Sequence, residues 1–212
     1  MIISNNKWFI FIHIQRTGGT AFSTLLRAKI RVELNEFYQH TNIETLGDDF
    51  FEARKAHRVI TFVRNPWARL FSWYSLFYQH DRLDLKSEKL RFEKFLLNLF
   101  IDSNSDPCFH FNQLDYFMSK HEINRANIIG EFENYEEHVQ QIFKILDIPF
   151  NGVPRINASD NKNYRDFYTN ASRAFVEEKC QRDIDYFKYT FDGVLTNTDL
   201  MVFPNEFERQ VY

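Results

Sequence analysis

Residues 8–20 read WFIFIHIQRTGGT, and this stretch decides which fold the chain can adopt. Its first seven residues, 8–14, are mostly apolar and rich in Ile and Phe, which predicts a strand that is covered on both faces. Gly18 and Gly19 allow positive φ angles and a close approach of a ligand to the backbone. From Thr20 onward, apolar residues recur at helical spacing, and we expect a helix over residues 20–29.

A strand, a glycine turn and a helix in this order favour a bound anion. The turn directs backbone N–H groups and the positive end of the helix dipole at one point, which suits a phosphate or sulfate. Arg16 adds a cation with bidentate geometry. The loop lacks the Lys-Ser/Thr pair of a Walker-A motif and the GxGxxG pattern of a dinucleotide-binding fold. An ordinary strand–turn–helix connection stays open as the alternative.

A second segment strengthens the anion-binding interpretation. Residues 57–63 predict another buried strand, and a long helix is expected over 66–80, with Asn65 as its N-cap. Arg64 follows the strand at its carboxyl end, where open α/β sheets bind ligands, and Ser72 lies on the next helix. An arginine and a hydroxyl in these places can hold a second phosphate. For Arg69 on the same helix we expect a surface salt bridge.

Together these two segments resemble the sulfotransferase superfamily that uses 3′-phosphoadenosine 5′-phosphosulfate (PAPS). The resemblance is to the carbohydrate branch, which includes heparan sulfate 2-O- and 6-O-sulfotransferases, here in a bacterial form. Further segments that resemble the family follow in the expected order at 112–117, 128–134, 157–159 and 164–168. Because the order of elements is kept over residues 8–192, the likeness is more specific than either loop alone.

The resemblance implies a role for each group of matching residues. Those expected to bind the 5′-phosphosulfate are Arg16, Thr17, Gly18, Gly19 and Thr20. Those expected to hold the 3′-phosphate are Arg64 and Ser72, and those expected to close over the nucleotide are Lys162, Tyr164 and Arg165. The family usually carries Lys where this chain has Arg16, which is also the residue expected to neutralise the leaving phosphate.

Transfer of a sulfuryl group from PAPS to a hydroxyl needs alignment, stabilisation of charge and a general base, and the product is adenosine 3′,5′-bisphosphate. No metal is expected. We choose His40 as the base, with a solvated loop histidine as its alternative, and expect His13 to be a core residue. His110 is the second choice, followed by Glu33 and Glu36. Predicted acceptor contacts are His110, Gln113 and Tyr116; the aromatic residues Trp73, Tyr78, Tyr116 and Phe117 fit either a sugar platform or the core.

The length and composition of the chain limit the class of protein to which it can belong. A chain of 212 residues with 24 Phe is long enough for a real core, and we expect one domain over residues 1–212. A net charge of −3 disfavours a general polyanion binder, so no nucleic-acid partner is expected. No apolar run has the length of a membrane span, no signal peptide is recognised, and two Cys do not make a disulfide framework. These features predict a cytoplasmic protein. The resemblance implies that its acceptor is a carbohydrate or a small molecule, and the oligomeric state is left open.

Alternation of strands and helices predicts an α/β fold with a central parallel sheet flanked by helices. The resemblance implies that the P-loop-like loop at residues 15–20 binds the phosphosulfate. The remaining elements expected are helices at 44–55, 111–120, 135–146 and 171–187, a partly helical region at 81–106 and a strand at 127–132. Two other functions stay open: a P-loop-type NTP-dependent kinase, and a non-catalytic nucleotide- or glycan-binding protein with the same fold.

Overall fold

The computed structural model describes residues 1–30, 33–34, 40–78, 80–81, 83–103, 109–153, 163–194 and 199–204. The described strands are β1 (Ile2–Ser4), β2 (Phe9–Ile12), β3 (Glu33–Leu34), β4 (Arg58–Val63), β5 (Ile128–Glu131), β6 (Tyr189–Thr190), β7 (Gly193–Val194) and β8 (Met201–Val202). The described α-helices are α1 (Gly19–Lys29), α2 (Ile43–Leu46), α3 (Asp48–Glu52), α4 (Pro66–Tyr78), α5 (Leu85–Ser103), α6 (Tyr135–Ile145), α7 (Asn170–Lys179) and α8 (Gln181–Phe187). Short 3₁₀ helices span Gln113–Tyr116, Phe132–Asn134 and Tyr164–Phe167.

The chain divides into two compact units. Among the described residues, the first unit holds those up to Val63 together with 113–153 and 199–204, and the second holds those of 64–112 and 163–194. A single domain over residues 1–212 stays a prediction.

The first unit contains a six-stranded sheet in the order β3-β1-β2-β4-β5-β8. Its middle strands, β2, β4 and β5, are parallel, with Ile10 opposite Val59 and Thr61 opposite Ile129. Strands β1, β3 and β8 run antiparallel to their neighbours. The predicted α/β fold with a parallel centre is therefore confirmed, and antiparallel strands extend it on both sides.

Helices α1 and α6 cover one face of this sheet. Alternate residues of the parallel strands, such as Phe11 and Phe62, point into a core that includes Phe22 of α1 and Phe143 of α6, and each of these rings is fully buried. The rings of Phe22 and Phe62 meet edge to face at 5.1 Å, an arrangement that stabilises beyond the area it buries. This packing fixes where α1 begins, and so the position of the loop before it.

The second unit is built around α4. The Asn65 side chain accepts hydrogen bonds from the backbone N–H groups of Trp67 at 3.1 Å and Ala68 at 3.3 Å, which confirms it as the N-cap. Its amide group donates to the carbonyl oxygen of Thr190 at 2.8 Å. The cap thus ties the start of α4 to the short β6–β7 hairpin.

Several predicted elements differ in detail. The helix predicted at 111–120 is a 3₁₀ turn over Gln113–Tyr116, and the one at 171–187 is divided into α7 and α8 at Cys180, whose φ of −109° and ψ of 21° are not helical. The helix at 44–55 is two short helices separated by Gly47 at φ 76°. In the part of the chain that the structure describes, no helix is long and apolar enough to cross a membrane.

Candidate functional site

The loop between β2 and α1 turns sharply at two residues with left-handed backbone conformations. Arg16 has φ 65° and Gly18 has φ 86°. Gly18 is the N-cap of α1, and its carbonyl oxygen accepts from the N–H groups of Ala21 and Phe22. The first N–H groups of a helix have no partner inside it. The loop therefore brings Arg16 to the positive end of the α1 dipole, which is the arrangement that binds anions.

Hydrogen bonds to the rest of the first unit hold this loop from behind. The Thr17 hydroxyl donates to the carbonyl oxygen of Ile14 at 2.9 Å, and Thr17 is fully buried. The Tyr135 hydroxyl donates to the carbonyl oxygen of Gly18 at 2.6 Å. The buried Tyr116 hydroxyl donates to the side-chain oxygen of Gln15. Three separate contacts thus hold in place the loop on which a ligand would be bound.

Gly19 is required by close packing rather than by its backbone angle. A Cβ atom at this position would lie 2.0 Å from Cδ2 of His13, far inside van der Waals contact. His13 is 4 % exposed, as expected of a core residue, and its burial and the neighbouring His40 hold its pKa down at about 3. The neutral His13 ring therefore forms the wall against which α1 begins.

His40 also packs against the His13 ring. Its ring centroid lies 4.6 Å from that of His13, edge to face, and its Nδ1 lies 2.8 Å from the carbonyl oxygen of His13. A carbonyl oxygen can only accept, so Nδ1 carries the proton and in the neutral ring Nε2 carries the lone pair. The structure thus brings His40 to the strand that leads into the loop, with Nε2 as its basic nitrogen.

Arg16 lies in a partly water-excluded position. Burial lowers the pKa of its guanidinium from the ordinary value, although arginine keeps its charge in proteins. An anion bound beside a cation with few waters around it is held more strongly than in bulk solvent. Thr20, the last residue of the predicted loop, is exposed in the first turn of α1.

A buried carboxylate that sequence reasoning missed stands at the same edge of the sheet. Glu131 ends β5 opposite Val63 of β4 and is 3 % exposed. One of its carboxylate oxygens has no hydrogen-bond partner among the described residues. Burial, with a smaller contribution from Glu133, raises the pKa of Glu131 to about 7. A single acidic residue at the end of the apolar run 128–131 was the available signal.

The predicted residues of the second unit lie on α4 and near the β6–β7 hairpin. Ser72 is buried on α4, and Arg64 is half-buried two residues before that helix begins. The Tyr164 hydroxyl donates to the carbonyl oxygen of Phe191. Arg165 donates to the carbonyl oxygen of Asp192, and its Nε lies 3.4 Å from the Asp192 carboxylate. Lys162 and Glu36 lie outside the described residues, and Glu33 lies in β3.

The expectation that Arg69 forms a surface salt bridge is wrong. Arg69 is fully buried in the second unit, and it donates to the carbonyl oxygens of Phe111 at 2.8 Å and His110 at 3.0 Å. Two adjacent carbonyl groups match the fork of a guanidinium, so the arginine fixes the backbone that carries His110. The sequence signal was an arginine on an otherwise apolar helix face.

Two of the three predicted acceptor contacts lie inside the first unit. Gln113 and Tyr116 are fully buried, as is Phe117, whereas His110 is half-buried in the second unit. Phe117 is therefore core, and Tyr116 reaches the loop through Gln15. Within the described ranges, no group of three or more His, Cys, Asp or Glu side chains is placed to hold a metal ion.

Comparison with known proteins gives the chain a family. The model of the sulfotransferase family matches residues 1–190. The chain belongs to the sulfotransferase family. An uncharacterised protein of Archaeoglobus fulgidus is 32 % identical over 108 residues, which is 50 % of this chain and 82 % of that protein.

A solved structure, that of a sulfotransferase from Alicyclobacillus acidocaldarius, aligns with 67 % of this sulfotransferase-family chain at 14 % identity and a TM-score of 0.33. The alignment spans 59 % of that chain. A TM-score this low does not establish a common fold.

Proposed function

We propose that this sulfotransferase-family chain transfers a sulfuryl group from PAPS to a hydroxyl of an acceptor, and that the acceptor is a carbohydrate. The observation that carries the proposal is the loop at residues 15–20, which has an arginine and a helix N-terminus, beside a histidine whose basic nitrogen is Nε2. These are the two requirements of transfer to a hydroxyl: stabilisation of the leaving anion and removal of a proton.

In this proposal, the donor is held in two places. The backbone of Thr17, Gly18, Gly19 and Thr20, with the guanidinium of Arg16, binds the 5′-phosphosulfate. Arg64 and Ser72 bind the 3′-phosphate, while Lys162, Tyr164 and Arg165 close over the nucleotide. Because Tyr164 and Arg165 both bond to the segment 191–192, they are held in a defined place before any nucleotide arrives.

Proton removal is assigned to His40. The acceptor hydroxyl gives its proton to Nε2 while its oxygen forms the new bond to sulfur. The bond between sulfur and the bridging oxygen breaks, and the electron pair leaves on the 5′-phosphate of adenosine 3′,5′-bisphosphate. Arg16 and the loop N–H groups stabilise that charge, which is the work that a metal ion performs in phosphoryl transfer.

The acceptor contact is assigned to His110, which is half-buried. His110 also stays the second choice as base. The full burial of Gln113 and Tyr116 favours supporting roles over direct contact with the acceptor, and Tyr116 has such a role behind the loop. A cytoplasmic location remains part of the proposal.

Titration calorimetry tests the donor. We expect adenosine 3′,5′-bisphosphate to bind tightly without metal, and ATP with Mg²⁺ to bind weakly. Arg64→Ala should raise the Kd for the bisphosphate by at least about tenfold, because a phosphate loses a charge-assisted hydrogen bond. Lys86→Ala, which removes an exposed cation from α5 of the same unit, is the matched control and should leave the Kd unchanged.

Other results of these binding and transfer measurements would favour a different function. Preference for Mg-ATP would favour the kinase alternative, and binding of neither nucleotide would remove the proposed donor. Binding of the bisphosphate with no transfer of label from ³⁵S-PAPS to any acceptor or to water would favour a non-catalytic binding protein.

A further inference from the structure

A small basic cavity lies in the first unit, away from the loop at residues 15–20. Its volume is about 50 Å³, enough for several water molecules or one small oxyanion. The cationic side chains that line it are Arg54, Lys55 and Arg125, joined by His57. None of these residues has a role in the proposed transfer reaction.

The cavity lies at the amino ends of the parallel strands, whereas that loop lies at their carboxyl ends. His57 directly precedes β4 and Asn127 directly precedes β5, whereas the loop follows the carboxyl end of β2, which is parallel to both. Six residues of β4 span about 20 Å at the usual rise per residue of a strand. A ligand in the cavity is therefore far from the loop.

Charge in the cavity is only partly balanced. Arg125 lies 3.2 Å from the carboxylate of Asp48, an exposed group, so this pair is screened by water. Arg54 donates to the carbonyl oxygen of Phe50 and stacks on its ring at 4.2 Å, contacts that leave its charge uncompensated. With Lys55, the lining keeps an excess of positive charge although the whole chain carries −3.

Two asparagines supply neutral donors. The side-chain oxygen of Asn127 accepts from the backbone N–H of Val59, and that of Asn124 accepts from the N–H of Ala126, both at 2.8 Å. Because the oxygens are used on the backbone, the NH₂ groups are what these side chains present elsewhere. His57 is 7 % exposed and is fixed by Asn5, whose oxygen lies 3.0 Å from Nε2.

We propose that this cavity, lined by Arg54, Lys55, His57 and Arg125, is a second anion site that binds one tetrahedral oxyanion, sulfate or phosphate, either free or as a monoester group on a larger molecule. Forked guanidinium groups and amide NH₂ groups are the donors that such an ion requires. The site does not depend on the proposed function, since it uses none of the donor-binding residues.

Histidine NMR of the full chain tests the proposal at both sites in one spectrum. The protein has seven His, and the ring signals of His57, His13 and His40 are assigned from single His→Asn variants. On titration with inorganic phosphate, we expect the His57 signal to move along a saturable curve. His13 and His40 report separately on the loop at residues 15–20, so binding there is not mistaken for binding in the cavity.

Arg54→Gln combined with Lys55→Gln removes two cations from one exposed turn, and we expect the Kd read at His57 to rise at least tenfold. Lys120→Gln is the control, because Lys120 is an exposed cation of the same unit that pairs with Glu44 outside the cavity. An unmoved His57 signal in the unaltered protein would overturn the proposal. So would an equal loss of affinity in the control, since it would show a general charge effect.

A second titration separates the two sources of the anion. Glucose 6-sulfate is compared with inorganic sulfate, and His57 is again the reporter. Tighter binding of the sugar ester supports a monoester group as the natural occupant, and equal or weaker binding supports the free ion. If neither compound shifted the His57 signal, the proposed site would be overturned.

Discussion

The Nδ1 atom of His40 lies 2.8 Å from the carbonyl oxygen of His13, 27 residues earlier in the chain. The carbonyl fixes the tautomer of His40, and the edge-to-face contact of the two rings fixes its orientation. The residue that positions the proposed base is thus the same residue that packs against Gly19 at the start of α1. The proposed base and the anion loop are held by one residue, His13, through its backbone carbonyl and its ring.

Replacing His40 tests the proposed base. We expect His40→Asn, whose amide can still donate to the His13 carbonyl oxygen, to lower kcat by about 10²-fold or more. The Kd for adenosine 3′,5′-bisphosphate should stay within about twofold, since no donor contact is removed. His110→Asn is the matched control. A near-normal kcat for the His40 variant, with a loss in the control, would transfer the role to His110.

Gly19→Ala tests the close packing of the loop. The new Cβ would meet the His13 ring at 2.0 Å, so either α1 or the ring must shift. We expect the free energy of unfolding to fall by about 1–3 kcal/mol, the usual cost of overpacking, and the bisphosphate to bind more weakly. Gly47→Ala, at φ 76° with open space around it, should lower stability alone. If Gly19→Ala bound the bisphosphate as tightly as the unaltered protein, the packing of Gly19 against His13 would have no effect on ligand binding.

Tyr116→Phe distinguishes support of the loop from contact with acceptor. The substitution leaves the side-chain oxygen of Gln15 without its buried donor, and we expect a loss of about 1–2 kcal/mol in unfolding free energy. If Tyr116 acts through Gln15, the Kd for the bisphosphate rises and the acceptor KM does not. Tyr135→Phe, which removes the bond to Gly18, provides the comparison. A change confined to the acceptor KM would restore the direct contact.

Arg69→Lys tests the buried guanidinium of α4. A lysine brings one point of charge to two carbonyl oxygens and cannot reproduce the fork. We expect the unfolding free energy to fall by about 2–4 kcal/mol in urea titrations. Arg27→Lys, at an exposed position of α1, should change it by less than about 0.5 kcal/mol. Equal effects in the two variants would contradict the buried role.

Glu131 predicts a pH-dependent stability. Its folded pKa of about 7 lies above the ordinary 4.5, so the folded state binds the proton more tightly. The contribution to stability is complete below pH 4.5 and is lost as the pH rises through 7. Glu131→Gln should therefore gain up to about 3 kcal/mol in unfolding free energy at pH 8 and little at pH 4. Glu52→Gln, which alters an exposed carboxylate on α3 of the same unit, is the control, and a pH-independent difference for Glu131→Gln would contradict the assignment.

Sequence predicted the parts of the fold that follow from local pattern. Apolar runs gave β2, β4 and β5, and Asn65 with Pro66 gave the start of α4. Strand β1 was missed because three apolar and small residues beside two asparagines resemble a loop. The break at Cys180 was missed because no Gly or Pro marks it.

Contacts distant in sequence set the details of the site. The bond between Tyr116 and Gln15 joins residues 101 positions apart, and no spacing rule predicts it. Burial of Arg69 depends likewise on carbonyl groups 41 and 42 residues away. Polar and charged residues at the end of a strand can be predicted from the sequence. The partners that orient their side chains come from distant parts of the chain and can be identified only in the folded structure.

The three hydrogen bonds behind the loop have a thermodynamic consequence. Thr17, Gln15 and Gly18 are anchored by hydrogen bonds to Ile14, Tyr116 and Tyr135, all of them within the protein. The conformational entropy of ordering this backbone is thus lost when the chain folds and not when an anion arrives. A loop that is ordered in this way binds an anion with little further loss of conformational entropy. Its affinity therefore depends on hydrogen bonds behind the loop that do not contact the ligand.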